Sequence, residues 1–187
     1  MSHVRSFPPL AESSATTLIL GSMPGLASLA AQQYYAHPRN AFWPIMGELV
    51  GAHAHLPYEQ RVSALLAARI AVWDVLEACI RPGSLDGNIL KQDLVANDFA
   101  NFFAAHRNVS RVFFNGAKAA HFFETLVIPS LGELHVHRQT LPSTSPANAS
   151  LRYADKLAAW RPIADELHEN ATNARRSSSV AINRGRP

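Results

Sequence analysis

The sequence is poor in cysteine, in long apolar runs and in several familiar glycine signatures, and each shortage closes off a class of protein. Cysteine occurs once, at Cys79, which excludes an internal disulfide, a cysteine-rich zinc site and a four-cysteine iron–sulfur cluster. No run is long and apolar enough to span a bilayer, and no basic stretch leads into an apolar one near the start. The expected compartment is therefore the reducing cytoplasm, where the Asn-x-Ser/Thr tripeptides at Asn108, Asn148 and Asn170 carry no meaning for glycosylation. The glycines make neither a phosphate loop, which needs Gly-Lys-Ser/Thr, nor a three-glycine dinucleotide fingerprint. No serine sits in a Gly-x-Ser-x-Gly elbow. The His-x-His pairs 53/55 and 135/137 lack a third ligand, so neither a metal nor any other cofactor is expected.

Charge is scarce too. Of 187 residues 17% are charged and 48% hydrophobic, which suits one soluble domain with a proper core. The net charge of +3 misleads, because Arg175, Arg176, Arg184 and Arg186 lie in a final stretch without a single acid. The remaining 170 residues hold 13 basic and 14 acidic side chains. The body is thus no bulk polycation, and any contact with DNA must come from a local patch helped by the tail. The expected organisation is a polar lead-in over 1–14, one domain over 15–168, and a basic, disordered tail over 169–187. A monomer is expected.

Taken in order, Thr16–Leu20 is a short strand that halts at Gly21-Ser22-Met23-Pro24-Gly25, followed by helix formers over 26–33. Phe42–Val50 and Tyr58–Ala68 read as helices, Ile70–Leu76 as a second strand, and Arg81–Gly87 as a loop. Apolar spacing predicts a helix over 90–106, a third strand over 109–114, a helix over 117–127, a fourth strand over 134–141 and a closing helix over 153–168. Strand–helix alternation with short connections predicts an α/β fold: a three-layer α/β/α sandwich around a mainly parallel four-stranded sheet. Ligands in such folds sit outside the carboxyl ends of the strands. The loops 21–43, 74–86, 115–116 and 142–148 should therefore converge on one cleft.

Within the first of these loops, Tyr34-Tyr35-Ala36-His37-Pro38-Arg39-Asn40-Ala41-Phe42-Trp43 is too polar for a core and too aromatic for an ordinary solvated loop. Stacking faces beside hydrogen-bonding groups suit a pocket for a flat polar heterocycle such as a nucleobase. An aromatic-rich loop that merely caps a core is the competing account.

Three pieces together, Gly21-Ser-Met-Pro-Gly25, the run 34–43 and Leu141-Pro-Ser-Thr-Ser-Pro-Ala-Asn148, resemble the uracil-DNA glycosylase superfamily, and within it the hypoxanthine-DNA (deoxyinosine) glycosylase branch. The resemblance covers roughly 15–168, the run 34–43 being its most specific part. It implies an enzyme that flips a damaged base out of duplex or single-stranded DNA and hydrolyses its N-glycosidic bond. Two departures bear on mechanism. Many relatives place Asp, Asn or Glu after the first glycine to handle the attacking water, where this chain has Ser22. Uracil-specific members carry a histidine at the head of the last motif, where this chain has Leu141. The hypoxanthine branch is similar in lacking both, and it implies that Asn40 acts in catalysis.

Breaking an N-glycosidic bond builds an oxocarbenium-like sugar and an electron-rich leaving base, so a site must place water and hold the nucleotide out of the stack. Asn40 cannot be a general base, but its amide can orient a water; a loop asparagine bonding local backbone is the plainer account. Phe42 is the candidate stacking platform, Tyr35 the opposite wall, and Trp43 is expected to be buried. His37 can donate to a base carbonyl or a phosphate. Asp74 ends the second strand, where uracil-specific relatives resemble one another in using an asparagine to read the base. Its carboxylate would accept N1–H of hypoxanthine and repel adenine, while backbone amides around Met23 and Gly25 donate to O6; the alternative is a loop cap. Ser143, Thr144, Ser145, Asn148 and Arg39 are candidates for gripping the DNA backbone, with Arg81 and Arg152 as further phosphate candidates. No large apolar wedge is evident in the last motif. No lysine in the motifs invites a Schiff base, so no lyase step is expected. Three readings stay open: a deoxyinosine glycosylase, a glycosylase directed at uracil or mismatches, and a catalytically silent nucleotide-binding module.

Overall fold

The structure, a computed structural model, describes residues 3–90 and 92–164; the expected tail over 169–187 and the end of the helix expected over 153–168 lie outside them. The chain opens with a short strand, β1 (His3–Arg5), and reaches β2 (Thr17–Gly21), whose five residues are all buried. Between them Leu10 exchanges two backbone hydrogen bonds of 2.9 Å with Val72, antiparallel to the sheet. The polar lead-in is thus built into the fold, where it covers a sheet edge that would otherwise offer unpaired backbone groups.

After β2 come helices α1 (Leu26–Ala31), α2 (Phe42–Val50) and α3 (Tyr58–Ala67), then β3 (Ile70–Asp74), again wholly buried. Pro44 stands in the first turn of α2, where its missing N–H costs no helical bond. One residue after the end of β3 a strand that the apolar pattern did not reveal begins: β4 (Leu76–Ile80) leaves the main sheet and pairs antiparallel with β1 and with β5 (Val95–Ala96). The expected long helix over 90–106 is therefore corrected to α4 (Phe99–Ala105). Leu76 and Ala78 of β4 hold Val95 and Ala96 in a ladder, and Asp98 starts the helix by accepting from the Asn101 amide at 3.0 Å.

β6 (Arg111–Asn115) leads into α5 (Ala117–Phe122), a π turn (Phe123–Val127) and α6 (Ile128–Leu131). The wide turn falls just before Pro129, which removes one regular helical bond. β7 (His137–Leu141) and α7 (Tyr153–Trp160) complete the order. The main sheet runs β3-β2-β6-β7, all parallel, so the sandwich expectation holds. Right-handed crossovers put α1–α3 on one face and α4–α6 on the other. Ring contacts agree: Phe42 meets Trp160 of α7 on the first face, and Phe99 and Phe114 meet Phe123 on the second. β7, at the outer edge, is mostly exposed and polar, as an unpaired edge requires. The register sets Gly21 beside Asp74 and Asn115 beside Leu141, so the carboxyl ends finish level. No helix among the described residues is long and apolar enough to cross a membrane.

Candidate active site

Above those level strand ends lies a cavity of about 830 Å³. Its floor depends on Gly21, because a Cβ there would come within 2.4 Å of Asp74 Oδ1 and 3.2 Å of the Tyr35 hydroxyl. Any side chain at 21 would push both polar groups out of place. Asp74 is 3% exposed, and its Oδ2 is buried with no hydrogen-bond partner. Burial foremost, then the nearby charge of Asp86, pushes its carboxyl up to about 8, with Arg81 opposing. That shift favours the protonated carboxyl, one acceptor beside one donor, over the carboxylate expected from sequence.

Tyr35 adopts a left-handed conformation, φ 55°, uncommon for a bulky residue. It is held there from both sides: Tyr34 N donates to the Tyr58 hydroxyl at 3.0 Å, Ala36 N to Ser28 Oγ at 3.2 Å, and Trp43 Nε1 to Tyr34 O at 2.9 Å. The result lays the Tyr35 ring on Phe42, centroids 3.9 Å apart and planes at 20°. Phe42 is wholly buried and does not line the cavity, so the accessible stacking face belongs to Tyr35. The Tyr35 hydroxyl is buried without a well-formed hydrogen bond, the Asn115 side chain lying close by. Trp43 is buried, as foreseen.

Asn40 Oδ1 accepts from Phe42 N at 3.0 Å, which caps the entry to α2 and leaves the amide NH2 to donate. His37 Nδ1 accepts from Arg39 N at 3.1 Å, fixing the ring. Ala41 N donates to Thr144 O at 3.0 Å, and Thr144 in turn exchanges two bonds of 2.8 Å with the Asn115 amide. Thr144 is therefore 1% exposed and spent on joining loops, not on DNA. Gly116, at φ 99°, brings its backbone so close to Ser143 that a Cβ would meet the serine Cβ at 2.9 Å. Ser143 and Ser145 receive backbone amides within the loop, and Asn148 Nδ2 donates to Ser143 O at 3.1 Å.

A second set of residues was not foreseen. Arg81, a phosphate candidate from sequence, is fully buried; it donates to Gly83 O at 2.9 Å, Met23 O at 3.4 Å and Pro24 O. It is a strut between the loops after β2 and β4. That strut carries Asp86 into the cavity, where Ser22 Oγ donates to Asp86 Oδ2 at 2.5 Å. Ser84 Oγ accepts from Leu26 N at 3.0 Å, and Leu26 and Leu85 stand exposed at the cavity rim. Arg81–Gly87 was legible as a loop of the cleft, but no local pattern distinguished Asp86 from a turn residue.

The cavity thus brings together Ser22, Met23, Gly25 and Asp74 from two strand ends with Tyr35, His37, Arg39 and Asn40 from the aromatic run. Ser143, Thr144, Ser145 and Asn148 complete one wall. Arg152 lies apart, paired with Asp155 at 3.0 Å. Among the described residues no His, Cys, Asp or Glu group is arranged to hold a metal ion.

Comparison with known proteins identifies the family. The sequence pattern of the uracil DNA glycosylase superfamily matches residues 8–167. Two proteins named hypoxanthine DNA glycosylase, from Methanosarcina acetivorans and Methanosarcina barkeri, are each 34% identical over 145 residues, 77% of this chain and 87% of theirs. A solution NMR structure from Methanosarcina acetivorans, described as a candidate uracil DNA glycosylase, superposes with a TM-score of 0.69 at 32% identity. That match covers 87% of this chain and 99% of the other.

Proposed function

The chain belongs to the uracil DNA glycosylase superfamily, and from that premise we propose that it is a monofunctional glycosylase releasing hypoxanthine from deoxyinosine in DNA. One observation carries the choice of substrate. Asp74 Oδ2 and the Tyr35 hydroxyl are buried polar atoms with unmet hydrogen bonds, and both residues line the cavity beside Gly21. A buried group left in that state costs about 1–3 kcal/mol, which a ligand's polar edge recovers.

Hypoxanthine offers N1–H beside the O6 carbonyl. A neutral Asp74 accepts from the first and donates to the second, the same pair of contacts an asparagine makes. The ring stacks on Tyr35, backed by Phe42. Asn40, its carbonyl held by the Phe42 amide, turns its NH2 toward the reacting water or the leaving base. Ser143, Ser145, Asn148 and Arg39 hold phosphates around the extruded nucleotide. Because a neutral carboxyl can also present its proton to adenine N1, rejection of adenine falls to the backbone amides of the first loop.

Uracil also places an N–H beside a carbonyl, so the same floor accepts it as a second substrate. The silent-module reading has no support from relatives named as glycosylases. We take it to act as a cytoplasmic monomer. The test is incubation with duplexes carrying one inosine, uracil or xanthine, followed by alkali. Inosine strands should break only after alkali. Intact inosine strands with wild-type protein would remove the proposal.

A further inference from the structure

Hydrolysis requires that the water attacking C1′ give up a proton, and Asn40 cannot take it, since an amide does not titrate in this range. The cavity offers few other acceptors. His37 accepts at Nδ1 from Arg39 N, so its neutral ring carries the proton at Nε2 and donates there. Asp74 lies buried at the cavity floor with Oδ2 unpartnered, and burial pushes its carboxyl up toward the protonated form, suited to the base and not to a water's proton. Asp86 remains.

Its position is built, not incidental. Arg81 is buried beneath the loop and bonded to carbonyls of both Met23 and Gly83, fixing the segment that carries Asp86 against the segment that carries Ser22. The Ser22 hydroxyl donates to Oδ2 at 2.5 Å, while Oδ1 faces Arg81 NH1 at 3.9 Å and keeps lone pairs for another donor. Ser22 stands where the chain resembles relatives that use a polar residue on the water; the carboxyl group missing from that position arrives from 64 residues away.

Building on the glycosylase reading, we infer that Asp86 is the catalytic proton acceptor for the attacking water, held in place by Ser22. The C1′–N9 bond breaks with both electrons going to the base. The water oxygen bonds to C1′ and its proton passes to Asp86. The proton then moves to the departed base anion, which regenerates the carboxylate and leaves an abasic sugar and neutral base. Before that transfer the anionic carboxylate also faces the positive charge growing on the sugar.

The charged and titratable groups around Asp86 are Arg81 and Cys79 from β4 and its end, Lys118 from α5, Asp74 from β3 and Tyr35 from the aromatic run, with Ser22 as hydrogen-bond donor. Burial raises its pKa, and Ser22, Arg81 and Lys118 draw it back. A raised carboxylate is the better base near neutrality.

The test uses full-length wild type, Asp86→Asn and Ser22→Ala in single-turnover base release from an inosine duplex across pH 5–9. DNA binding is followed by anisotropy. Asp86→Asn should lose about 10²–10⁴-fold in rate, bind DNA within about threefold, and lose the acid limb of the pH profile. Ser22→Ala should keep that limb but shift it to higher pH, because the hydrogen bond that lowers the Asp86 pKa is gone. Asp86→Asn retaining more than about a tenth of the rate, or keeping the limb, overturns the inference. Should Asp86→Asn not fold, an unmoved limb in Ser22→Ala overturns it instead. Wild type that releases no base defeats the glycosylase reading itself, a separate failure.

Discussion

Tyr35 lies flat on Phe42, 3.9 Å between centroids, and hides it from the cavity completely. The two rings therefore have separable tasks, one facing the ligand and one supporting from behind. Offset or stacked aromatic pairs contribute about 0.5–1.5 kcal/mol beyond their burial. Tyr35→Ala should reduce single-turnover release of hypoxanthine by about tenfold or more. Tyr35→Phe keeps the stack but deletes the buried hydroxyl offered to the base, so it should fall between wild type and Tyr35→Ala. Phe42→Ala opens a cavity in the core and should lower the melting temperature, at a cost of about 3–5 kcal/mol. Equal melting temperatures for wild type and Phe42→Ala would deny Phe42 its supporting place.

Asn40 already uses its carbonyl to cap α2, so its replacement is read in two assays. Asn40→Ala should abolish base release while DNA affinity changes little, since its donor acts mainly in the transition state. The lost hydrogen bond to the Phe42 amide should cost about 1 kcal/mol in stability. More than about a tenth of the wild-type single-turnover rate in the variant removes Asn40 from catalysis.

Asp74 makes the enzyme sensitive to alkali. With its carboxyl pushed to about 8, ionisation above that pH keeps the acceptor for N1–H but discards the donor for O6. Base release should fall as the pH rises through about 8. Asp74→Asn keeps both contacts without titrating, so its inosine rate at pH 7 should hold and the alkaline fall should vanish. Stability follows the same sign. The folded value lies above the ordinary 3.8, so the native state holds a proton the unfolded chain has lost. Stability tied to Asp74 is present below about pH 4 and is lost on the way up to about pH 8. The variant's melting temperature should gain on wild type across that window. An alkaline limb that survives Asp74→Asn ends the neutral-carboxyl account.

Leu85, 53% exposed at the same cavity rim as Leu26, is the side chain expected to fill the gap a flipped nucleotide leaves in a duplex. Apolar side chains do this in DNA-bending proteins. Leu85→Ala should slow release from paired inosine by about tenfold yet leave single-stranded substrate within about threefold. Leu151→Ala serves as comparison, because that leucine is exposed but does not line the cavity. If Leu151→Ala shows the duplex-specific loss and Leu85→Ala does not, the role passes to Leu151.

Much of this site could be read before any coordinates. The strand–turn junctions at Gly21 and Asn115 were legible because apolar runs end there in turn residues, and parallel strands bring such ends together; at Asp74 the apolar Val75 and Leu76 carried the expected strand two residues too far. The aromatic run was legible because its mixture of types fits no plain core or loop. What escaped depends on tertiary contact. Arg81 looks like any loop arginine until burial and three carbonyls make it a strut. Asp86 is one acidic residue in a turn-rich segment until Ser22 meets it. Tyr35 and Phe42 exchanged places because a left-handed residue turns its ring where no spacing rule points. β4 was missed because it follows β3 after one residue, and only pairing with β1 makes it a strand of another sheet.

The loops around the cavity are fastened to one another, Ala41 to Thr144, Thr144 to Asn115, and Arg81 to Met23. A receptacle knotted in this way is finished before substrate arrives, and it has little shape left to adopt. The deformation on encounter then falls on the nucleic acid. The energy of unstacking and unpairing one nucleotide comes from the duplex and depends on the base across from it. Ranking of substrates by opposite base should therefore follow the strength of the pair being opened, weak wobbles first, with the protein as an unchanging referee.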